Sequence, residues 1–100
     1  MLFVYPNRYS STMQMEDDAR DGIIDPSSGT SIQIESDITY YQDGIGAEFS
    51  GSIIGYEAKA YIINLLIPQG GGLTIIAATA PQLYSDQFRR YAEDIMGSLN

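Results

Sequence analysis

The chain has 100 residues with no cysteine and no histidine, which excludes disulfides, thiolate chemistry, zinc–thiolate centres and imidazole acid–base catalysis. The formal charge of −8 is concentrated in residues 1–50, which hold nine acids and two bases, and nucleic acid and anionic membrane surfaces are therefore disfavoured as partners. At this length, with 44% hydrophobic residues, the expectation is a single domain over 1–100 with one core, and no apolar run is long enough for a transmembrane segment.

Residues 2–5, LFVY, read as a short strand closed by Pro6-Asn7. Residues 11–15, STMQM, alternate polar and apolar and read as a second short strand. The run EDDARDG, residues 16–22, then reads as a solvated acidic turn between strands. Asp25-Pro26-Ser27-Ser28-Gly29 is a turn signal: Asx chemistry, a preset φ at Pro, then Gly. In TSIQIES, 30–36, Ile32 and Ile34 share one strand face. Residues 37–46 read as a loop punctuated by Gly44 and Gly46. AEFSGSII, 47–54, reads as a strand with a candidate bulge at Gly51.

The strongest segment is YEAKAYIINLLI, 56–67. It places Tyr56, Ala58, Ala60 and Ile62 on one face and Glu57, Lys59, Tyr61, Ile63, Leu65 and Ile67 on the other. Pro68-Gln69-Gly70-Gly71-Gly72 is a hairpin loop, and LTIIAATA, 73–80, is the return strand. The period then changes. Tyr84, Phe88, Tyr91, Ile95 and Leu99 recur at helical spacing, so residues 82–98 are expected to form a helix packed on the sheet through Tyr84, Phe88, Tyr91 and Ile95. Pro81 suits the first helical position and Gly97 the end, with Asp86–Arg90 and Arg90–Asp94 as i,i+4 pairs on the outer face. The fold class is α+β: a mostly antiparallel sheet in two layers with a C-terminal amphipathic helix packed on one face.

The acidic run can be tested as a calcium loop. Counting from Asp17, an EF-hand pattern is met at Asp17, Asp21, Gly22 and Ile24, with Asp25 at the ninth position. It fails at Ala19, which offers no ligand, and at Ser28, which cannot supply the bidentate carboxylate. Asp17, Asp21 and Asp25 therefore stand as candidate ligands of a weak, non-EF Ca²⁺ site, against the plainer reading of a solvated loop. Gly44-Ile45-Gly46 leads into a strand, and Phe49 stands where a dinucleotide loop needs its third Gly. A Ser–Lys pair would have to use Lys59, the chain's one lysine, which reads more simply as a solvent-facing neighbour of Glu57. No cofactor and no enzymatic activity are expected. Tyr40, Tyr41, Tyr56 and Tyr61 are candidates for a binding surface on one sheet face, since exposed tyrosine favours recognition.

The run GYEAKAYIINLLIP, the glycine hairpin, GGLTIIAATAP and a helix closing on IMGSL resemble the end of PsbP/Mog1-like domains. The residues that carry this are Ala77, Ala78, Pro81, Phe88, Ile95, Ser98 and Leu99, and FVYPNRY is similar to the Tyr-Pro opening of such domains. The resemblance implies a non-enzymatic accessory or protein-binding module, in bacteria often exported, with any leader absent from this chain. Two other readings are carried beside it. One is a type III secretion chaperone-like acidic dimer, although such proteins begin with a helix. The other is a weak Ca²⁺-binding domain.

Overall fold

Alternation along the longest strand decides the architecture. Ala60 and Ile62 are buried on one side of it and Tyr61 and Ile63 on the other, so both faces of the sheet need cover. In the computed structural model, which describes residues 1–99, that cover is one helix per face. The strands are β1 (Leu2–Asn7), β2 (Ile23–Asp25), β3 (Thr30–Ile34), β4 (Thr39–Tyr41), β5 (Gly44–Ile53), β6 (Tyr56–Leu66) and β7 (Gly72–Thr79). They form one antiparallel sheet in the order β1-β7-β6-β5-β3-β2, with β4 paired to β5 off that path. The helices are α1 (Thr12–Asp21) and α2 (Asp86–Ser98).

Met15 and Ala19 of α1 are buried against Ile32, Ile45, Ala47, Phe49, Ala60, Ile62 and Ala78. On the opposite face Ala92 of α2 meets Tyr61, Ile63, Ile75 and Ala77, flanked by Phe88, Ile95 and Met96. Each fully buried Ile contributes about 1.5–3 kcal/mol of transfer free energy before entropy is counted. The α+β class and the C-terminal helix on the sheet stand as expected. The two-layer arrangement does not, because α1 adds a third layer.

Helix α1 corrects the reading of residues 11–15 as a strand and of 16–22 as a loop. Ser11 is the N-cap and its hydroxyl accepts the Gln14 N–H at 3.2 Å, while Gln14 Oε1 accepts the Ser10 N–H at 2.8 Å. This is a capping box displaced by one residue. Met15 and Ala19, four apart, anchor the inner face. Gly22, at φ 82°, ends the helix, its N–H donating to the Asp18 carbonyl at 3.0 Å. The acidic run is thus the outer and terminal part of a helix.

Within residues 37–46, expected as loop, Thr39–Tyr41 form β4 and Gly44 begins β5, with a turn at 42–43 between them. Gly46 pairs with Thr39 and Ile63 in the ladder, and the position takes glycine because a Cβ there would lie 2.6 Å from the Tyr61 hydroxyl and 2.8 Å from Tyr41 Cε2. Gly51 is not a bulge. It pairs in continuous register with Ile32 on one side and Ala58 on the other.

The expected helix over 82–98 begins later. Pro81–Leu83 is a 3₁₀ turn, and α2 starts at Asp86 behind Ser85, whose hydroxyl accepts the Gln87 N–H at 3.3 Å. Gly97 lies inside the helix, not after it. Phe88 stacks on Tyr84 at 5.6 Å and meets Tyr91 edge-on at 5.5 Å, but Tyr91 remains exposed on the flank. Of the expected outer-face ion pairs, neither pair involving Arg90 forms; Arg89–Glu93 forms instead, at 3.2 Å.

Candidate binding site

Helix α1 packs chiefly on β5 and β3, and a gap separates it from β1 on the same sheet face. A cleft of about 540 Å³ results, bounded by β1 on one side and α1 on the other. Ile62, Asn64 and Thr74 line it from β6 and β7. Tyr5 and Asn7 line it from β1, Arg8 and Tyr9 from the following loop, and Gln14, Asp17 and Asp18 from α1.

Thr74 is buried, and a polar group there needs a partner. It has two. Asn7 Nδ2 donates to Thr74 Oγ1 at 3.0 Å, and Thr74 Oγ1 donates to Asn64 Oδ1 at 2.5 Å. Asn64 and Thr74 sit directly opposite each other across the β6–β7 hairpin, so the ladder ties three adjacent strands together at the cleft floor. Asn7 Oδ1 also accepts the Tyr9 N–H at 3.2 Å. The Tyr9 hydroxyl donates to Asp18 Oδ2 at 2.8 Å and ties the loop to α1. Burial first, and then the Asp18 carboxylate, push the Tyr9 phenol above its ordinary value, so it stays a neutral donor. Burial likewise raises Tyr5. The cleft therefore offers tyrosine rings, amides fixed by their own hydrogen bonds, the Arg8 cation in the loop after β1, and two carboxylates on the α1 wall.

Two other clusters lie on the α2 face. Lys59 does not pair with Glu57 in solvent: its Nζ lies 3.4 Å from Glu35 and 3.5 Å from Glu48, and 4.7 Å from the centre of the Tyr84 ring. Ser50, directly opposite Lys59 in the ladder, donates its hydroxyl to Glu35. The hydrogen bond from Ser50 first, with Lys59 adding to it, holds the Glu35 carboxyl below its usual range. The Ser50 hydroxyl bonds to Glu35 and the Lys59 ammonium lies between Glu35 and Glu48, so the group forms a cross-strand link over β3, β5 and β6. In the second cluster, Tyr41 donates to Glu93 Oε2 at 2.7 Å and shares a 2.8 Å bond with the Tyr61 hydroxyl, while Arg89 Nε donates to the same Glu93 oxygen at 3.2 Å. Burial leads the upward shift of the Tyr41 phenol, reinforced by Tyr61 and Glu93. This network locks α2 to β4 and β6.

The candidate tyrosines divide between the faces. Tyr41 and Tyr61 join on the α2 side, whereas Tyr56 has the parity of Ala60 and Ile62 and Tyr40 is paired with Ile45, both on the α1 side. Tyr40 and Tyr56 are exposed. The three candidate metal ligands do not come together as a set. Asp17 and Asp21 sit on α1, and Asp25 is occupied by its own turn, accepting from the Ser27 N–H at 3.1 Å and the Ser28 hydroxyl at 3.0 Å. These bonds, Ser27's before Ser28's, lower the Asp25 carboxyl. Among the described residues, no three carboxylates group closely enough to hold a metal ion.

The residues at the cleft floor were not singled out from the sequence. One signal was available: Asn64 interrupts an apolar run, and Thr74 faces it across the hairpin closed by Pro68–Gly72. Compared with protein-family models, with curated proteins and with solved structures, the chain matches none.

Proposed function

We propose that this protein is a non-catalytic binding module that accepts an extended, basic segment of a partner protein in the cleft between β1 and α1. The observation that carries this is the cleft itself: an open depression of about 540 Å³ with tyrosine rings and fixed amides along it, and with Asp17 and Asp18 on the α1 wall against the cation of Arg8. A net charge of −8 adds a long-range attraction for a basic partner. The PsbP/Mog1-like layout read over β6, β7 and α2 belongs to the same proposal, since it too implies an accessory role without bond-making chemistry.

The test is selection of extended peptides from a displayed random library, followed by affinity measurement. Selected sequences are expected to be enriched in Lys or Arg and to bind more weakly as salt rises. Partly exposed ion pairs are worth about 0.2–1 kcal/mol each, so the double variant Asp17→Asn/Asp18→Asn should weaken binding by about 2- to 30-fold. Binders without basic residues, or with unchanged affinity for the double variant, would remove the cleft from the account.

A further inference from the structure

The outer edge of β1 carries information independent of the cleft. Met1 exchanges both backbone hydrogen bonds with Ala78, its ammonium donating to the Ala78 carbonyl at 3.0 Å and its carbonyl accepting the Ala78 N–H at 2.9 Å. Bonding alternates along an antiparallel ladder, so Phe3, Tyr5 and Asn7 also direct their backbone groups toward β7. The N–H and C=O groups of Leu2 and Val4 therefore point outward, where, among the described residues, the sheet has no further strand. Pro6, the next outward position, has no N–H to offer. The side chains of residues 1–5 are all exposed and largely apolar, with Leu2 at 51% and Val4 at 47%. Such an edge invites another strand.

The pattern is self-complementary. When two β1 strands lie antiparallel about a two-fold axis at Phe3, Leu2 of one faces Val4 of the other. All four outward N–H and C=O groups on each copy then find partners, and the ladder ends where Pro6 begins. Charge points the same way. From Leu2 to Asn7 the strand has no ionisable acid or base except the neutral Tyr5 phenol, so two copies meet here without opposing like charges, despite −8 on each chain. We infer that β1 is a self-association edge, and that a second copy of this chain pairs with it antiparallel, Leu2 against Val4 and Phe3 against Phe3, to make one continuous fourteen-stranded sheet. A two-fold perpendicular to the sheet keeps corresponding faces on the same side, so the two clefts open in the same direction.

The contact is a short ladder with a few side chains, in the class of small, reversible interfaces. Sedimentation velocity on the full chain is expected to show a monomer–dimer equilibrium with a dissociation constant of about 1–100 µM. Val4→Pro removes an outward N–H and no bond to β7, and Phe3→Lys sets two like charges on the axis; each should abolish the dimer while leaving circular dichroism unchanged. Since the chain has no cysteine, Phe3→Cys isolates the register. Its Cα atoms would lie about 4.5 Å apart as a non-hydrogen-bonded pair, within disulfide reach, so mild oxidation should give a covalent dimer. Tyr5→Cys, facing Met1 of the other copy, should not cross-link. A chain that stays monomeric at about 1 mM overturns the inference, as does a dimer indifferent to Val4→Pro and Phe3→Lys, or one whose Phe3→Cys form fails to cross-link.

Discussion

Met15→Ala tests the element that builds one wall of the cleft. The Met15 side chain is fully buried in the cluster under α1, with 0% of its surface accessible, whereas Met13, two residues earlier on the same helix, is 71% exposed. Truncating a buried Met leaves both a lost transfer term and a cavity, together about 2–5 kcal/mol. Ala is the best helix former, so intrinsic propensity offsets only a few tenths of this. A chain of this size has a total stability of about 5–15 kcal/mol. A loss near 3 kcal/mol would lower its midpoint by about 12–24 °C. Met13→Ala should stay within about 0.5 kcal/mol of the parent. Urea titration and thermal melting by circular dichroism would measure both. Equal, small effects would mean that residues 12–21 are not docked through this face. A costly Met13→Ala would mean the helix is rotated or that the period is two.

Phe88→Ala, which removes the ring between Tyr84 and Tyr91 in the second cluster, should cost about 2–3 kcal/mol, and Tyr91→Ala on the exposed flank clearly less; urea midpoints would separate them. Gly46→Ala should destabilise by about 1–3 kcal/mol, because the new Cβ meets the Tyr61 hydroxyl at 2.6 Å, and the loss should be partly recovered by Tyr61→Phe, which a double-mutant cycle would show. The raised phenols of Tyr9, Tyr41 and Tyr84 stabilise the fold while they remain protonated, up to the ordinary tyrosine value of 10.0; above it the unfolded chain ionises and the folded one resists. Stability should therefore fall as pH rises past 10, with Tyr41→Phe reducing that slope in alkaline melting curves. Glu35 has the opposite sign. Its lowered carboxyl contributes above the ordinary value of 4.5, and that contribution is lost as pH falls through its folded value, so Glu35→Gln should flatten the acid limb of stability.

The C-terminal half was legible because its signals are long and local. The eleven residues of β6, the glycine hairpin and the period change after Pro81 each leave little choice of structure. Helix α1 was missed for a physical reason. Its ten residues bury only Met15 and Ala19, while STMQM over five residues also fits a period of two. The cap at Ser11, completed by Gln14, was the better signal, because it states which backbone N–H groups are satisfied and a short alternation does not. Gly44 and Gly46 misled in the opposite direction. They mark close backbone and ring approach inside β5, and nothing local in the sequence shows that Tyr61, fifteen positions after Gly46, fills that space. The cleft was the least legible feature. It joins residues near 5–9, 14–18, 62–64 and 74, which only the sheet order brings together.

The central claim is that the β1–α1 cleft receives a basic segment. Its most direct test is a set of intermolecular NOEs between a library-selected, lysine-bearing peptide and the ring protons of Tyr5 and Tyr9, with the Asn64 and Thr74 amide signals followed in the same titration. Peptide–ring NOEs and saturable shifts at all four residues are the expected result. A bound peptide whose NOEs fall on the α2 face instead, leaving Tyr5, Tyr9, Asn64 and Thr74 unmoved, would contradict the account.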